Sequence, residues 1–303
     1  MDIAIMVEGQ NGLNWPRWQK MVSTVEELGF SGLYRSDHFT NATPPDQDSL
    51  ELWVSLTWLA SHTSRIEFGP LVSPISFRHP AMTARMAAAV DDLSSGRLIL
   101  GLGAGWQGRE HEAFGFDLLG PKARFDRFEE GLEVITRLFS SDTPVSFEGK
   151  CFQLRDAILL PRPARPHGPR IAIGGNGLKR TLPYVVKYAE EWNAVYLPPD
   201  ELQSLNGTLD TLLDKAGRSR QEVRRSVMLG CLFGRTQEKA EKKWGSSGRS
   251  FEDWRKMGAI IGTGDQVREQ LDAVKRTGVQ RVMLQWLDLD DLEGLSDMAG
   301  EIL

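Results

Sequence analysis

Two short stretches carry residue types able to do acid–base and anion-binding chemistry. The first is YRSDHF, residues 34–39, where Asp37 and His38 stand side by side at the end of an apolar run. An imidazole there can donate a hydrogen bond or a proton near neutral pH, and an adjacent carboxylate can fix its tautomer and raise its pKa. The bland alternative is a histidine satisfied by loop backbone, with Asp37 capping a turn. The second stretch is GGNGLKR, residues 174–180, in which Gly174, Gly175 and Gly177 leave backbone N–H groups uncovered before a helix that opens with Lys179 and Arg180. Helix N-termini of this kind bind phosphate, although glycine-rich strand-to-helix turns also occur for geometry alone.

The elements that must position these residues are legible as eight short apolar runs: 2–7, 31–36, 65–72, 97–103, 170–175, 192–197, 225–234 and 281–287. Between most of them lie amphipathic stretches with apolar residues three and four apart, such as those from Arg17, Arg124 and Gly264. That spacing predicts helices. Thr263 and Gln266 fit a capping box, and Gly29, Gly217 and Gly278 fit helix stops.

Alternating strands and helices, with strands apolar throughout rather than on one face, indicate a parallel sheet covered by helices. Eight units predict an α/β fold of one kind, a single (β/α)8 TIM barrel spanning residues 1–303. Two interruptions break the rhythm. Residues 141–168 read as a β-hairpin insertion after the fourth unit, turning at Glu148-Gly149, and residues 235–262 as a polar, helical insertion after the seventh. In such a barrel the loops after the strands converge on one mouth, and both stretches fall there.

GAGWQG, residues 103–108, matches the GxGxxG of a dinucleotide-binding turn. It follows the fourth strand rather than the first, and residues 109–120 are too polar and glycine-broken for the packed helix that the fingerprint requires. A serine elbow, a P-loop and a metal-ligand array are not seen in the sequence.

A net charge of −5 and the lack of a dense basic block argue against a nucleic-acid surface. The start of the chain lacks the pattern of a signal peptide, no apolar run reaches membrane-span length, and the two cysteines, Cys151 and Cys231, are far apart. These features predict a cytoplasmic protein without a membrane or nucleic-acid partner and with no metal.

Several longer stretches resemble one known family. They are the strand end Asp37-His38-Phe39, residues 73–116 (SPISFRHPAMTARMAAAVDDLSSGRLILGLGAGWQGREHEAFGF), 124–135, 159–177 and 188–193. Together they resemble the bacterial luciferase-like oxidoreductases, and within that superfamily the members that use the deazaflavin coenzyme F420. The resemblance implies a flavin-type ring bound at the strand ends. His38 and Asp37 would lie beside it, Gly103, Gly105 and Trp106 would line the facing wall, and Gly174, Gly175, Asn176 and Gly177, with Arg180 in support, would hold the phosphate. A non-proline cis peptide would fall at Pro70–Leu71, with Pro70, Leu71 and Ser73 behind the ring.

Trp106 stands where better-known deazaflavin enzymes carry a glutamate, which puts their sugar-phosphate and pterin substrates in doubt. With His38, Asp37 and Trp106 as the catalytic candidates, the implied chemistry is hydride transfer between the coenzyme and a small organic substrate. The alternatives are a monooxygenase supplied with reduced FMN by a separate reductase, and a flavin-binding paralogue without turnover. A homodimer is implied by the family alone. Trp15, Phe39, Trp53, Phe77 and Trp106 are available for a substrate pocket, with Trp53 assigned instead to a helix face packed on the barrel.

Overall fold

A computed structural model describes residues 1–245 and 248–303. Ser246 and Ser247, within the second expected insertion, lie outside the described residues. The strands are β1 (Asp2–Val7), β2 (Gly32–Arg35), β3 (Glu67–Pro70), β4 (Ser73–Pro74), β5 (Ile99–Gly103), β6 (Val145–Glu148), β7 (Gln153–Ala157), β8 (Arg170–Gly174), β9 (Glu191–Val195), β10 (Arg224–Phe233), β11 (Ile260–Gly262) and β12 (Arg281–Gln285). The helices are α1 (Trp15–Leu28), α2 (Leu52–His62), α3 (Pro80–Leu93), α4 (Gly108–Phe114), α5 (Pro121–Ser140), α6 (Thr181–Tyr188), α7 (Pro199–Lys215), α8 (Gln237–Gly245), α9 (Phe251–Lys256), α10 (Gly264–Arg276) and α11 (Leu292–Ile302).

The main sheet runs β3-β2-β1-β12-β10-β9-β8-β5-β4, and every pairing in it is parallel. Phe68 and Leu98 bridge its two ends, with the Phe68 N–H donating to the Arg97 carbonyl at 3.1 Å. Glycine makes that seam possible. A Cβ on Gly69 would meet the Ile99 carbonyl oxygen at 1.9 Å, and one on Gly101 would meet that of Pro70 at 2.0 Å. The sheet is therefore an α/β barrel of eight main strands, and each of the eight apolar runs supplies one.

Side chains alternate along a strand, so each barrel strand sends every second residue inward. The inner set includes Ala4, Met6, Tyr34, Ile99, Ala172, Met228 and Met283. The outward set, including Ile5, Leu33, Val227 and Val282, packs under the helices with Trp18 of α1 and Leu56 and Trp53 of α2. Among the described residues, no helix is long and apolar enough to cross a membrane.

The first insertion is the antiparallel β6–β7 hairpin, whose turn is pinned by Glu130 of α5 through the N–H groups of Lys150, Cys151 and Phe152 at 2.9, 2.7 and 3.2 Å. The second is only partly helical. Residues 260–262, expected within a helical stretch, form β11 and pair with the far end of β10 at Cys231–Ile260. Ala259 and Ile261 there pack on Ala240 and Trp244, so an apolar strand completes the small core that α8 needs. The α10 N-terminus forms as expected, with Gln266 accepting from the Thr263 N–H at 2.9 Å.

Candidate active site

The inward parity of β1, β2, β9 and β10 continues past their C-terminal ends and builds a cleft of about 450 Å³ at the barrel mouth. Along β2, Tyr34, Ser36 and His38 follow one side of the chain. Tyr34 is inside the barrel, and Ser36 and His38 line the cleft. Arg35 and Asp37 follow the other side. The floor and walls are small or apolar, among them Gly103, Gly174, Gly175, Leu71, Val72, Val195 and Met228. A Cβ on Gly103 would stand 2.5 Å from a Val72 methyl, and one on Gly174 would stand 3.1 Å from another, so side chains at either position would take up the floor.

His38 is the acid–base group of the cleft. Its Nδ1 lies 2.8 Å from Glu110 Oε1, and the other Glu110 oxygen accepts from the Phe39 N–H at 2.9 Å. A carboxylate oxygen only accepts, so Nδ1 carries the hydrogen and Nε2 is the nitrogen left for chemistry. Glu110 is 1% exposed. Burial pulls the His38 pKa down, but the hydrogen bond and charge of Glu110, with Glu8 and Asp37 adding to them, outweigh it and raise the pKa above the ordinary imidazole value.

The expectation that Asp37 would orient its neighbour is corrected by this geometry. Its carboxylate points to the helix side, accepts from Ser73 Oγ at 2.7 Å and pairs with Arg78, which also bonds Glu51. Ser73 thereby belongs with Asp37 rather than with the cleft surface. Glu110 was missed because it sits in α4, a seven-residue helix within a segment expected to be too polar and glycine-broken for one. The only signal was position: an acid in the loop that follows a strand end facing the mouth.

The cis peptide is also displaced by one residue. It lies at Leu71–Val72, not Pro70–Leu71. Leu71 and Val72 both line the cleft, whereas Pro70 is a β3 residue whose carbonyl abuts Gly101 at the seam. Trp106 stands at the lip, 62% exposed, with its ring edge-on to His38 at 5.6 Å between centroids. Gly105 beside it has φ +85, and a Cβ there would press on Ser76 Oγ at 3.0 Å.

At the α6 end, Thr181 lines the cleft together with Gly174 and Gly175. The Gly175 N–H donates to the Asn193 carbonyl at 2.9 Å. Asn176 braces the end of β9, exchanging hydrogen bonds with Val195 at 2.8 and 3.0 Å. Gly177 is exposed and begins the turn into α6. Arg180 pairs with Asp126 at 3.0 Å and covers the Phe125 ring. The apolar floor, the glycine-rich turn and the helix start together fit a planar ring with a phosphate-bearing tail. A second polar wall was not anticipated: Tyr196, at φ +51, donates to Gln285 at 2.7 Å, and Gln285 donates to Glu8 at 2.6 Å.

Residues 2–256 match the family model described as luciferase-like monooxygenase. The chain belongs to that family. Among its relatives, an F420-dependent glucose-6-phosphate dehydrogenase of Kineococcus radiotolerans is 30% identical over 69% of this chain. The match spans 61% of that relative's length, so the chain aligns with less than two thirds of it. Among solved structures, an F420-dependent secondary alcohol dehydrogenase bound to an F420-acetone adduct superposes with a TM-score of 0.86 at 17% identity, covering 100% of this chain and 98% of that one. A monooxygenase from Streptomyces bottropensis superposes with a TM-score of 0.84 at 20% identity, covering 99% and 97%. At those identities the likeness establishes the shared α/β barrel fold.

Proposed function

We propose that the protein is an oxidoreductase that holds the ring of coenzyme F420 in the mouth cleft and exchanges a hydride with a small organic substrate. The observation that carries this reading is a largely apolar, glycine-floored slot with one histidine, His38, clamped at its side by Glu110. When bound, the deazaflavin supplies two electrons as a hydride and activates oxygen poorly. Gly103, Gly174 and the Leu71–Val72 peptide would face the ring, and Gly177 and Thr181 would attend the phosphate, with Arg180 held beside them by Asp126.

His38 Nε2 gives a proton to, or takes one from, the substrate oxygen as the neighbouring carbon is reduced or oxidised. Glu110 fixes the ring of His38 and favours its charged form. Asp37 acts at a distance, holding Ser73 and Arg78 behind the cleft. Trp106 at the lip covers the reacting atoms and excludes water. The name of the Kineococcus relative favours F420 over FMN.

The second reading is an FMN-dependent monooxygenase on the same cleft, favoured by the family description and by the likeness to the Streptomyces enzyme. It would need a separate reductase. A cytoplasmic location and a homodimer complete the proposal on family resemblance.

Titration of the protein with F420 and with FMN, followed by ring absorbance, tests the reading. Tighter binding of F420 is expected. A preference for FMN would promote the monooxygenase, and binding of neither would remove both.

A further inference from the structure

Of the twenty residues that line the cleft, none is lysine or arginine, and Glu8 is the only carboxylate. Of the nearby cations, Arg124 and Lys179 do not line the cleft, and three others are engaged elsewhere. Arg78 is held by Asp37 and Glu51, Arg109 by Asp46, and Arg180 by Asp126. The charge that His38 gains on protonation is matched by Glu110, 2.8 Å away. Glu8 itself already accepts from Gln285 and from Gln10 at 2.6 and 3.0 Å, which leaves it poorly placed to serve a cationic ligand.

An anionic substrate entering this cleft would therefore meet no lysine or arginine among the lining residues and one like charge, in surroundings dominated by Leu71, Trp106, Phe125, Val195 and Met228. Desolvating an unpaired charge is expensive, and repulsion grows as the local dielectric falls. The polar atoms on offer, His38 Nε2 and the Tyr196 hydroxyl, suit a single uncharged oxygen function. The Tyr196 hydrogen is directed at Gln285, so its oxygen is left to accept.

We propose that the substrate is an uncharged molecule with one ketone or secondary alcohol oxygen on an apolar skeleton, and that this enzyme does not act on a sugar phosphate. The inference rests on the coenzyme site proposed above. It departs from the Kineococcus relative, which is named for a sugar phosphate, and agrees in class with the solved secondary alcohol dehydrogenase.

Calorimetric binding of three matched probes tests it: methyl hexyl ketone, the keto acid of the same chain length and the corresponding amino ketone. Each is titrated into the protein with and without oxidised F420, so failure of the coenzyme site shows in the F420 titration alone, separately from the ligand preference. The ketone is expected to bind at least about tenfold more tightly than either charged probe, on the scale of one unshielded like-charge contact. Glu8→Gln is expected to narrow the gap against the keto acid several-fold, and Ala104→Lys to reverse it. Equal or tighter binding of a charged probe by the unmodified protein, or no binding of the ketone, would overturn the proposal.

Discussion

The two ends of the barrel interior both hold charged groups, and they hold them in opposite ways. At the floor, Arg281 of β12 is 1% exposed and faces Glu191 at 3.2 Å, the Tyr34 hydroxyl at 2.6 Å and Glu67, while Arg224 adds a second cation to Glu67 at 3.3 Å. Burial works against the Arg281 charge, but Tyr34, Glu191 and Glu67 overcome it and push its pKa up. Burial also pushes the Tyr34 phenol up. At the mouth, His38 has one carboxylate partner and keeps a ring nitrogen directed to the cleft. Charge matched by several neighbours closes the floor, whereas charge matched on one side only leaves the mouth reactive. The same strand parity builds both: β12 carries Arg281 at one end of its inward row and Gln285 at the other.

Changes at each end should separate stability from chemistry. The largest effect is expected at the floor. Arg281→Met leaves Glu191 buried without its cation and should cost about 3–5 kcal/mol in chemical denaturation, while the remaining folded protein binds F420 normally. At the mouth, His38→Ala should lower the rate of hydride transfer about a hundredfold or more and cost less stability than Arg281→Met. A similar stability loss from both changes would dissolve the contrast.

Gly103→Ala sharpens the comparison further. Its Cβ would crowd Val72 at 2.5 Å, and F420 affinity should fall about tenfold, read by absorbance titration.

A smaller effect reports the His38–Glu110 pair directly. Because the folded-state pKa of His38 is raised, the pair contributes its full stability below the unfolded imidazole pKa, about 6.5, and loses it as the pH rises through the folded value. Denaturation across that window should show this decline in the native protein and not in Glu110→Gln. Where His38 acts as the acid, the rate should fall at high pH, and in Glu110→Gln that fall should move to lower pH.

Much of the frame was legible because parallel barrel strands are apolar on both faces and bounded by polar turns. β11 was hidden because three apolar residues in a polar insertion carry no period. α4 was hidden for the converse reason: GREHEAF has no apolar stripe, and its buried members are Glu110 and His111. His38 stood out by residue type, but its partner could not be found by adjacency. Strand parity already sends residues 37 and 38 to opposite sides, and applying it to YRSDHF would have removed Asp37 as the orienting carboxylate. The one-residue displacement of the cis peptide has a similar origin, since a motif locates a bend without specifying which bond makes it.

The most direct measurement is NMR of histidine side chains in protein labelled at its five histidines, with F420 added stepwise. The account predicts that the His38 ring signals move on coenzyme binding while those of His62, His79 and His167 stay in place. Binding that leaves His38 unmoved, or that shifts a histidine remote from the mouth instead, would contradict the placement of the coenzyme in this cleft.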